Sequence, residues 1–126
     1  MKTIISTPNA PSAIGPYSQA NALDNLIFTS GQIGLIPATG ELACGDIQTQ
    51  TRQALNNLKA ILEEAGSGMD KVLKTTVLLS DIANFTPMNE VYAEFFSADG
   101  YPSRSAFQVG ALPKGALVEI EAIAYK

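Results

Sequence analysis

PSRSAFQVGALPKGALVEIEAIAYK, residues 102–126, has the clearest strand pattern of the chain. It contains two strand-like runs, 104–109 and 117–125, joined by a turn-rich link. In the second run every even position is apolar, whereas the odd positions include Glu119 and Glu121. Because successive strand residues point to opposite faces, the even face is predicted to pack against a core and the odd face to carry the two carboxylates.

The first run alternates as well, with Phe107 on one face and Arg104 on the other. If the two runs pair as an antiparallel hairpin, keeping apolar with apolar places Arg104 and Glu119 opposite each other, on the face away from the helices. A guanidinium beside a carboxylate is the main indication of a functional site in the sequence. The spacing alone favours a structural cross-strand salt bridge over a ligand site. Alternation along the strand places Glu119 and Glu121 on the same face and does not distinguish them.

Length and composition predict one folded domain over residues 1–126. A chain of 126 residues can bury enough surface for one core. Its residues are 46 % hydrophobic and 16 % charged, which is typical of a compact globular protein rather than a disordered one.

Several kinds of chemistry are excluded by the residue content. The net charge is −4 and there are only two arginines, which argues against a nucleic-acid groove or an anionic membrane surface. Without histidine the chain has no imidazole base and no histidine metal ligand, and the single cysteine, Cys44, cannot form an internal disulfide or a zinc site. No signal peptide or membrane-spanning stretch is evident, so a cytoplasmic location is expected.

The first third of the chain predicts short strands separated by breaks. Residues 2–5 suit an edge strand, and 26–36 a strand interrupted by Ser30-Gly31-Gln32. A turn and a short return strand at 41–43 follow. Ser30 and Gly31 could present a hydroxyl and a backbone N–H to a ligand, or simply bend the sheet. Tyr17 follows Gly-Pro, which either aims its ring or leaves it as a packing residue.

Two helices and a strand follow. Asp46 is a good N-cap for an amphipathic helix that ends near Gly66. Residues 72–79 predict a central strand buried on both faces, and 85–98 a second helix with an aromatic core stripe. The order predicts an α+β fold, one mixed sheet with both helices on one face. The sheet face left bare is half apolar, which suggests an interface between copies.

The chain resembles the RidA/YjgF family of reactive intermediate deaminases, also called the perchloric-acid-soluble or translation-inhibitor family. The resemblance covers essentially the whole chain, and the pairing of Pro-Ser-Arg-Ser with Val-Glu-Ile-Glu-Ala is its most specific part. The matching stretches are NAPSAIGPYSQA (9–20), FTSGQIGLIPATGEL (28–42), QTRQAL (50–55), VLKTTVLLSDIANF (72–85), MNEVYAEFF (88–96), PSRSAFQV (102–109) and LPKGALVEIEAIAY (112–125).

This resemblance implies a chorismate-mutase-like homotrimer whose sheets close into a central barrel, with a cleft between each pair of subunits. The implied activity is hydrolysis of short-lived 2-imino acids and enamines, such as 2-aminoacrylate, to 2-keto acids and ammonia. It needs no cofactor or metal, and the implied partner is a small imino or keto acid rather than nucleic acid or membrane. A non-catalytic protein that binds such acids in the same cleft remains an alternative, and an RNase or translation inhibitor is disfavoured by the low positive charge.

The resemblance also assigns site residues. The family's carboxylate-binding arginine falls on Arg104 and its water-orienting glutamate on Glu119, which favours Glu119 over Glu121. The remaining cleft positions fall on Tyr17, Ser30, Gly31 and Ala106. Many family members carry cysteine at the last of these positions, so a thiol role is absent here, while the backbone N–H of Ala106 can still contact a ligand.

Overall fold

A computed structural model describes all residues, 1–126, and contains one six-stranded mixed sheet with two α-helices. The strands lie in the order β1-β2-β3-β6-β4-β5, and every neighbouring pair is antiparallel except β4 and β5, which are parallel. The α+β prediction is therefore confirmed. The elements are β1 (Thr3–Ile5), β2 (Ala20–Leu23), β3 (Leu26–Thr29), α1 (Ile47–Glu64), β4 (Val72–Leu79), α2 (Phe85–Glu94), β5 (Ser103–Gln108) and β6 (Val118–Tyr125), with 3-10 turns at Met69–Lys71, Ile82–Asn84 and Pro113–Gly115.

The core lies between the helices and one face of the sheet. The predicted even face of β6 is confirmed, because Val118, Ile120, Ala122 and Ala124 are all buried. They belong to the same hydrophobic cluster as the inner stripes of both helices, such as Leu55 of α1. Burial of this cluster is the main stabilising contribution, at about 25 cal/mol per Å² of apolar surface.

The predicted hairpin of β5 and β6 is wrong, because β4 lies between them. Thr75 of β4 is the register partner of Arg104 on one side and of Ala122 on the other. The order β4–α2–β5 is a strand–helix–strand unit, and a helical crossover of this kind joins parallel neighbours in a sheet. The link from β5 to β6 therefore passes over the end of β4 instead of making a tight turn.

Both helices begin near their predicted residues. The Asp46 carboxylate accepts a hydrogen bond from the backbone N–H of Thr49 at 3.0 Å, as the N-cap prediction requires. Helix α2 starts at Phe85 as predicted but ends at Glu94 rather than near residue 98. A separate turn follows, in which the carbonyl of Ser97 accepts from the N–H of Gly100 at 3.0 Å. Neither helix has the length and hydropathy that crossing a membrane requires.

Three strand predictions need correction. β2 was not predicted, and the return strand at 41–43 is reduced to a single bridge between Leu35 and Leu42. β4 is central but is buried on one face only, with Leu73 on the outer side 47 % exposed. The outer face of the sheet also exposes Phe28 and Phe107, at 44 % and 49 %. A protein that leaves a sheet face this apolar commonly covers it with another chain.

Candidate active site

The break after β3 brings two predicted site residues beside Glu119. β3 ends at Thr29, and Gln32 rejoins the sheet by exchanging backbone hydrogen bonds with Ile120 at 2.8 and 3.0 Å. Ser30 and Gly31 therefore lie outside the hydrogen-bonded ladder, next to the first residues of strand β6. The interruption predicted from the sequence is confirmed, and it is a local opening of the sheet next to a carboxylate.

Ser30 is held firmly by the preceding loop. Its hydroxyl donates to the carbonyl of Ser18 at 2.6 Å, and its N–H donates to the carbonyl of Gln19 at 2.9 Å. The hydroxyl proton is therefore used inside the chain, and the oxygen offers a ligand only its acceptor side. The N–H of Gly31 donates to no group of the chain, so it is the donor that this opening presents.

A side chain at position 31 would displace Glu119. A Cβ at this position would overlap a carboxylate oxygen of Glu119 and lie 2.8 Å from its Cδ. The glycine therefore lets the glutamate side chain lie directly against the backbone. Glu119 and Gly31, with its free N–H, thus lie side by side at the same opening.

The Glu119 carboxyl is partly buried and accepts no hydrogen bond within the chain. Burial raises its pKa, and the nearby Glu121 carboxylate raises the pKa further by repulsion. The two glutamates lie two residues apart on one strand face, about 7 Å between their Cα atoms. A partly desolvated carboxylate with unused lone pairs is suited to accept a proton from a water molecule.

A cavity of about 370 Å³ opens in front of these groups. The predicted residues Tyr17, Ser30, Gly31 and Glu119 all line it, so the structure brings four of the six together. Its other lining residues were not predicted as site residues: Pro11, Ile14, Gln32, Ile33, Leu35, Pro113 and Lys114. The signal missed lies in the break after the first predicted strand, where Pro11 and Ile14 form an apolar wall.

Arg104 lies in a different cavity, on the helix side of the sheet. Its Nη1 donates to Oδ1 of Asn89 at 2.6 Å, and the guanidinium lies 4.8 Å from the ring centroid of Tyr92. This second cavity, of about 480 Å³, is also lined by Tyr101 and Pro102. No carboxylate pairs with Arg104. The one salt bridge in the chain joins Arg52 to Glu94 at 3.0 Å.

The prediction that Arg104 and Glu119 share a face is therefore wrong within one chain. Arg104 is level with Thr75 and Glu119 with Leu78, three residues further along β4. The two residues are also two strand spacings apart across the sheet, so their Cα atoms are about 14 Å apart. Their side chains lie on opposite faces. A single chain does not bring both groups to one small ligand.

Ala106 lies two residues along β5 from Arg104, on the edge strand of the sheet. The N–H of Val109 donates to the carbonyl of Leu79 in β4 at 2.9 Å. Backbone groups of a strand alternate between its two sides, so the N–H of Ala106 points out from the free edge. Arg104 and Ala106 thus present a guanidinium and a backbone donor at the same edge.

No cluster of three or more His, Cys, Asp or Glu side chains is arranged to hold a metal ion. Cys44 is exposed and forms no disulfide, and it lines neither of the two cavities described above. The candidate site therefore consists of carboxylate, guanidinium, hydroxyl and backbone N–H groups.

Comparison with known proteins gives consistent matches over nearly the whole chain. A family model described as endoribonuclease L-PSP matches residues 7–126. The chain is 56 % identical over 126 residues to a RutC family protein of Pyrococcus horikoshii, covering 100 % of this chain and 99 % of that protein. It is 49 % identical over 124 residues to the human 2-iminobutanoate/2-iminopropanoate deaminase, covering 98 % and 90 %. A solved structure from Yersinia pestis, titled a protein of unknown function of the conserved Rid protein family, has a TM-score of 0.97 and 50 % identity, with 100 % of both chains covered.

Proposed function

The chain belongs to the RidA/YjgF family, and from this premise we propose that it hydrolyses reactive 2-imino acids and their enamine tautomers, such as 2-aminoacrylate, to 2-keto acids and ammonia. The finer assignment is that of a 2-iminobutanoate/2-iminopropanoate deaminase, the name of its human relative. The observation that carries the proposal is the free Glu119 carboxylate beside the unpaired Gly31 N–H in an open cavity.

The reaction needs only a positioned water and a proton acceptor. Glu119 accepts a proton from water as the water oxygen adds to the carbon of the protonated imine, which gives a neutral tetrahedral carbinolamine. That proton then passes from Glu119 to the amine nitrogen. The C–N bond breaks, ammonia leaves, and the hydroxyl gives its proton back to Glu119 as the carbonyl forms. An enamine first takes a proton at carbon to become the protonated imine. The Gly31 N–H and the Ser30 oxygen, together with the Tyr17 ring, line the space in which the ligand would lie.

We assign the carboxylate-binding role to Arg104 of a neighbouring subunit. A guanidinium binds a carboxylate with two parallel N–H···O bonds, which lysine cannot do. Since Glu119 and Arg104 of one chain lie on opposite faces, the proposal requires a homotrimer in which each cleft joins the Glu119 cavity of one subunit to the β5 edge of the next. The exposed Phe28, Leu73 and Phe107 on the outer sheet face support such an assembly. The N–H of Ala106 would then donate to the same ligand.

Two other functions are alternatives to this proposal. The family description includes endoribonuclease, but a net charge of −4 and only two arginines provide little attraction for RNA. A protein that binds keto acids without catalysis would use the same cleft, and it differs from the enzyme only in turnover. The cytoplasmic location and the single domain over 1–126 remain predictions.

The direct test is to generate 2-aminoacrylate in situ with a pyridoxal-phosphate lyase and to follow keto-acid release. We expect the purified protein to raise the rate above spontaneous hydrolysis, and dialysis against EDTA to leave the rate unchanged. Binding of 2-oxobutanoate without any rate increase would favour the binding protein over the enzyme. Neither binding nor rate increase would contradict the proposed function altogether.

Replacing Arg104 with lysine is expected to lower kcat/KM for anionic imino acids by roughly ten- to a hundredfold. The change keeps the charge but removes a bidentate contact worth about 1.5–3 kcal/mol, and each 1.4 kcal/mol corresponds to tenfold. Arg52→Lys, at the exposed helix–helix ion pair, is the matched control and should keep full activity. An Arg104→Lys variant with a lower Tm but wild-type kcat/KM would show a structural role instead.

Glu121→Gln is expected to shift the acidic limb of the kcat/KM profile to lower pH while leaving the plateau nearly unchanged. Glu119 acts as the carboxylate, so activity falls when it is protonated. Glu121 raises the pKa of Glu119, and removing its charge must lower that pKa. The measurement is the pH profile of both proteins, corrected for spontaneous hydrolysis. Loss of the plateau in Glu121→Gln would reverse the assignment of the two carboxylates.

A further inference from the structure

We propose that Asn89 and Tyr92 are positioning residues that fix the plane and direction of the Arg104 guanidinium, so that one edge of it is presented to the ligand carboxylate. The inference rests on the proposed function and adds two residues of α2 to the site. Neither residue is assigned to contact the reacting atoms. Both act through Arg104.

Three side chains of α2 surround the guanidinium. Phe85, Asn89 and Tyr92 are spaced i, i+4 and i+7, so they lie along one stripe of the helix. Asn89 accepts from Nη1 of Arg104 at 2.6 Å, and the guanidinium lies 4.8 Å from the Tyr92 ring centroid and 5.3 Å from that of Phe85. The rings therefore set the plane of the guanidinium, and the amide sets its rotation within that plane.

The Tyr92 ring is itself held in place. The residue is only 5 % exposed, and its hydroxyl shares a 2.7 Å hydrogen bond with Oγ1 of Thr75. Thr75 is also the register partner of Arg104 in the β4–β5 ladder. The backbone that carries the arginine and the ring that supports it are thus tied to the same residue.

The arrangement leaves one edge of the guanidinium free. Nη1 donates to Asn89, and neither Nε nor Nη2 has a hydrogen-bond partner in the chain. These two nitrogens carry the parallel N–H groups that a carboxylate can accept side-on. An exposed arginine is otherwise flexible, and a ligand that binds it must offset the loss of that freedom.

Asn89 is uncharged, and this matters for how Arg104 binds a carboxylate. An amide oxygen holds Nη1 without neutralising the cation, so the full charge remains for the ligand. An aspartate in its place would form an ion pair with Arg104 and compete with the carboxylate of the substrate. Asn89→Asp is therefore expected to be more harmful than Asn89→Ala, although it preserves the size of the side chain.

The experiment measures KM and kcat for imino-acid hydrolysis and the Kd of 2-oxobutanoate in the assembled protein. We expect Asn89→Ala to raise both KM and Kd by roughly three- to tenfold through lost preorganisation, and Asn89→Asp to raise them by more than about tenfold. In both variants kcat should stay within about twofold, because the proton acceptor is untouched. Asn56→Asp is the matched control, because it adds the same charge at an exposed position of α1.

Tyr92→Leu tests the ring itself. It removes the aromatic face beneath the guanidinium, so we expect KM and Kd to rise by roughly three- to tenfold while kcat stays within about twofold. A folded Tyr92→Leu protein with wild-type KM would contradict the role of Tyr92. Equal KM values in Asn89→Asp and the wild type, with wild-type activity intact, would overturn this inference alone. A wild-type protein that neither hydrolyses imines nor binds 2-oxobutanoate would overturn the proposed function and this inference with it.

Discussion

Replacing Glu119 with glutamine is expected to lower kcat for imine hydrolysis by roughly a hundredfold or more, the usual contribution of a positioned general base. The amide has nearly the same shape, so it can still contact a water molecule, but it cannot take the proton of that water. KM should change little because the carboxylate of the substrate is assigned to Arg104. The measurement is kcat and KM for 2-iminobutanoate generated in situ.

The same variant should fold at least as well as the wild type at neutral pH. The pKa of Glu119 is raised in the folded chain, which means that its ionised form is less favourable there than in the unfolded chain. Glutamine removes that charge and its repulsion from Glu121, so Tm at pH 7 should be equal or higher. In the wild type, the corresponding gain in stability appears as the pH falls through the raised pKa. A Glu119→Gln variant that is less stable but fully active would contradict the assignment.

The sequence was sufficient to predict the parts of the fold that depend on local patterns. The alternation in β6, the Asp46 cap of α1 and the limits of β4 follow from spacing and propensity, and the structure confirms them. The prediction that failed with the largest consequence was the order of the strands. It came from treating two consecutive strands as a hairpin, whereas the helix between β4 and β5 already indicates a parallel pair that takes up one edge of β4.

The candidate site residues were assigned through the family resemblance, because local patterns do not show which distant segments meet. Tyr17, Ser30, Gly31 and Glu119 come together because neighbouring segments pair through Gln32 and Ile120, a contact within one chain. Arg104 does not join them, since the sheet places it on the opposite face. Period-two spacing determines which face of a strand a side chain takes only when the face that packs on the core is known, and in β5 the core face is the one that includes Ala106.

A mixing experiment with two inactive variants tests whether each site is shared between subunits. Arg104→Ala and Glu119→Gln are each expected to retain about a hundredth of wild-type activity or less. If each cleft takes Glu119 from one subunit and Arg104 from the next, co-refolding them in equal amounts gives native clefts wherever the two unmutated residues meet. In a cyclic trimer assembled at random this occurs in about a quarter of the clefts.

We therefore expect the co-refolded mixture to regain roughly a quarter of wild-type activity, since subunit order in a closed ring is random. Preformed trimers of the two variants, mixed without refolding, serve as the control and should stay inactive. Sedimentation equilibrium on the same samples must give three times the subunit mass of 13.3 kDa. Both residues acting from one chain would give no recovery at any mixing ratio, because every subunit would carry one defective residue. That result in proven mixed trimers, or a monomer mass at micromolar concentration, would contradict the shared cleft, and the opposite faces of Arg104 and Glu119 in the sheet would then need a different explanation.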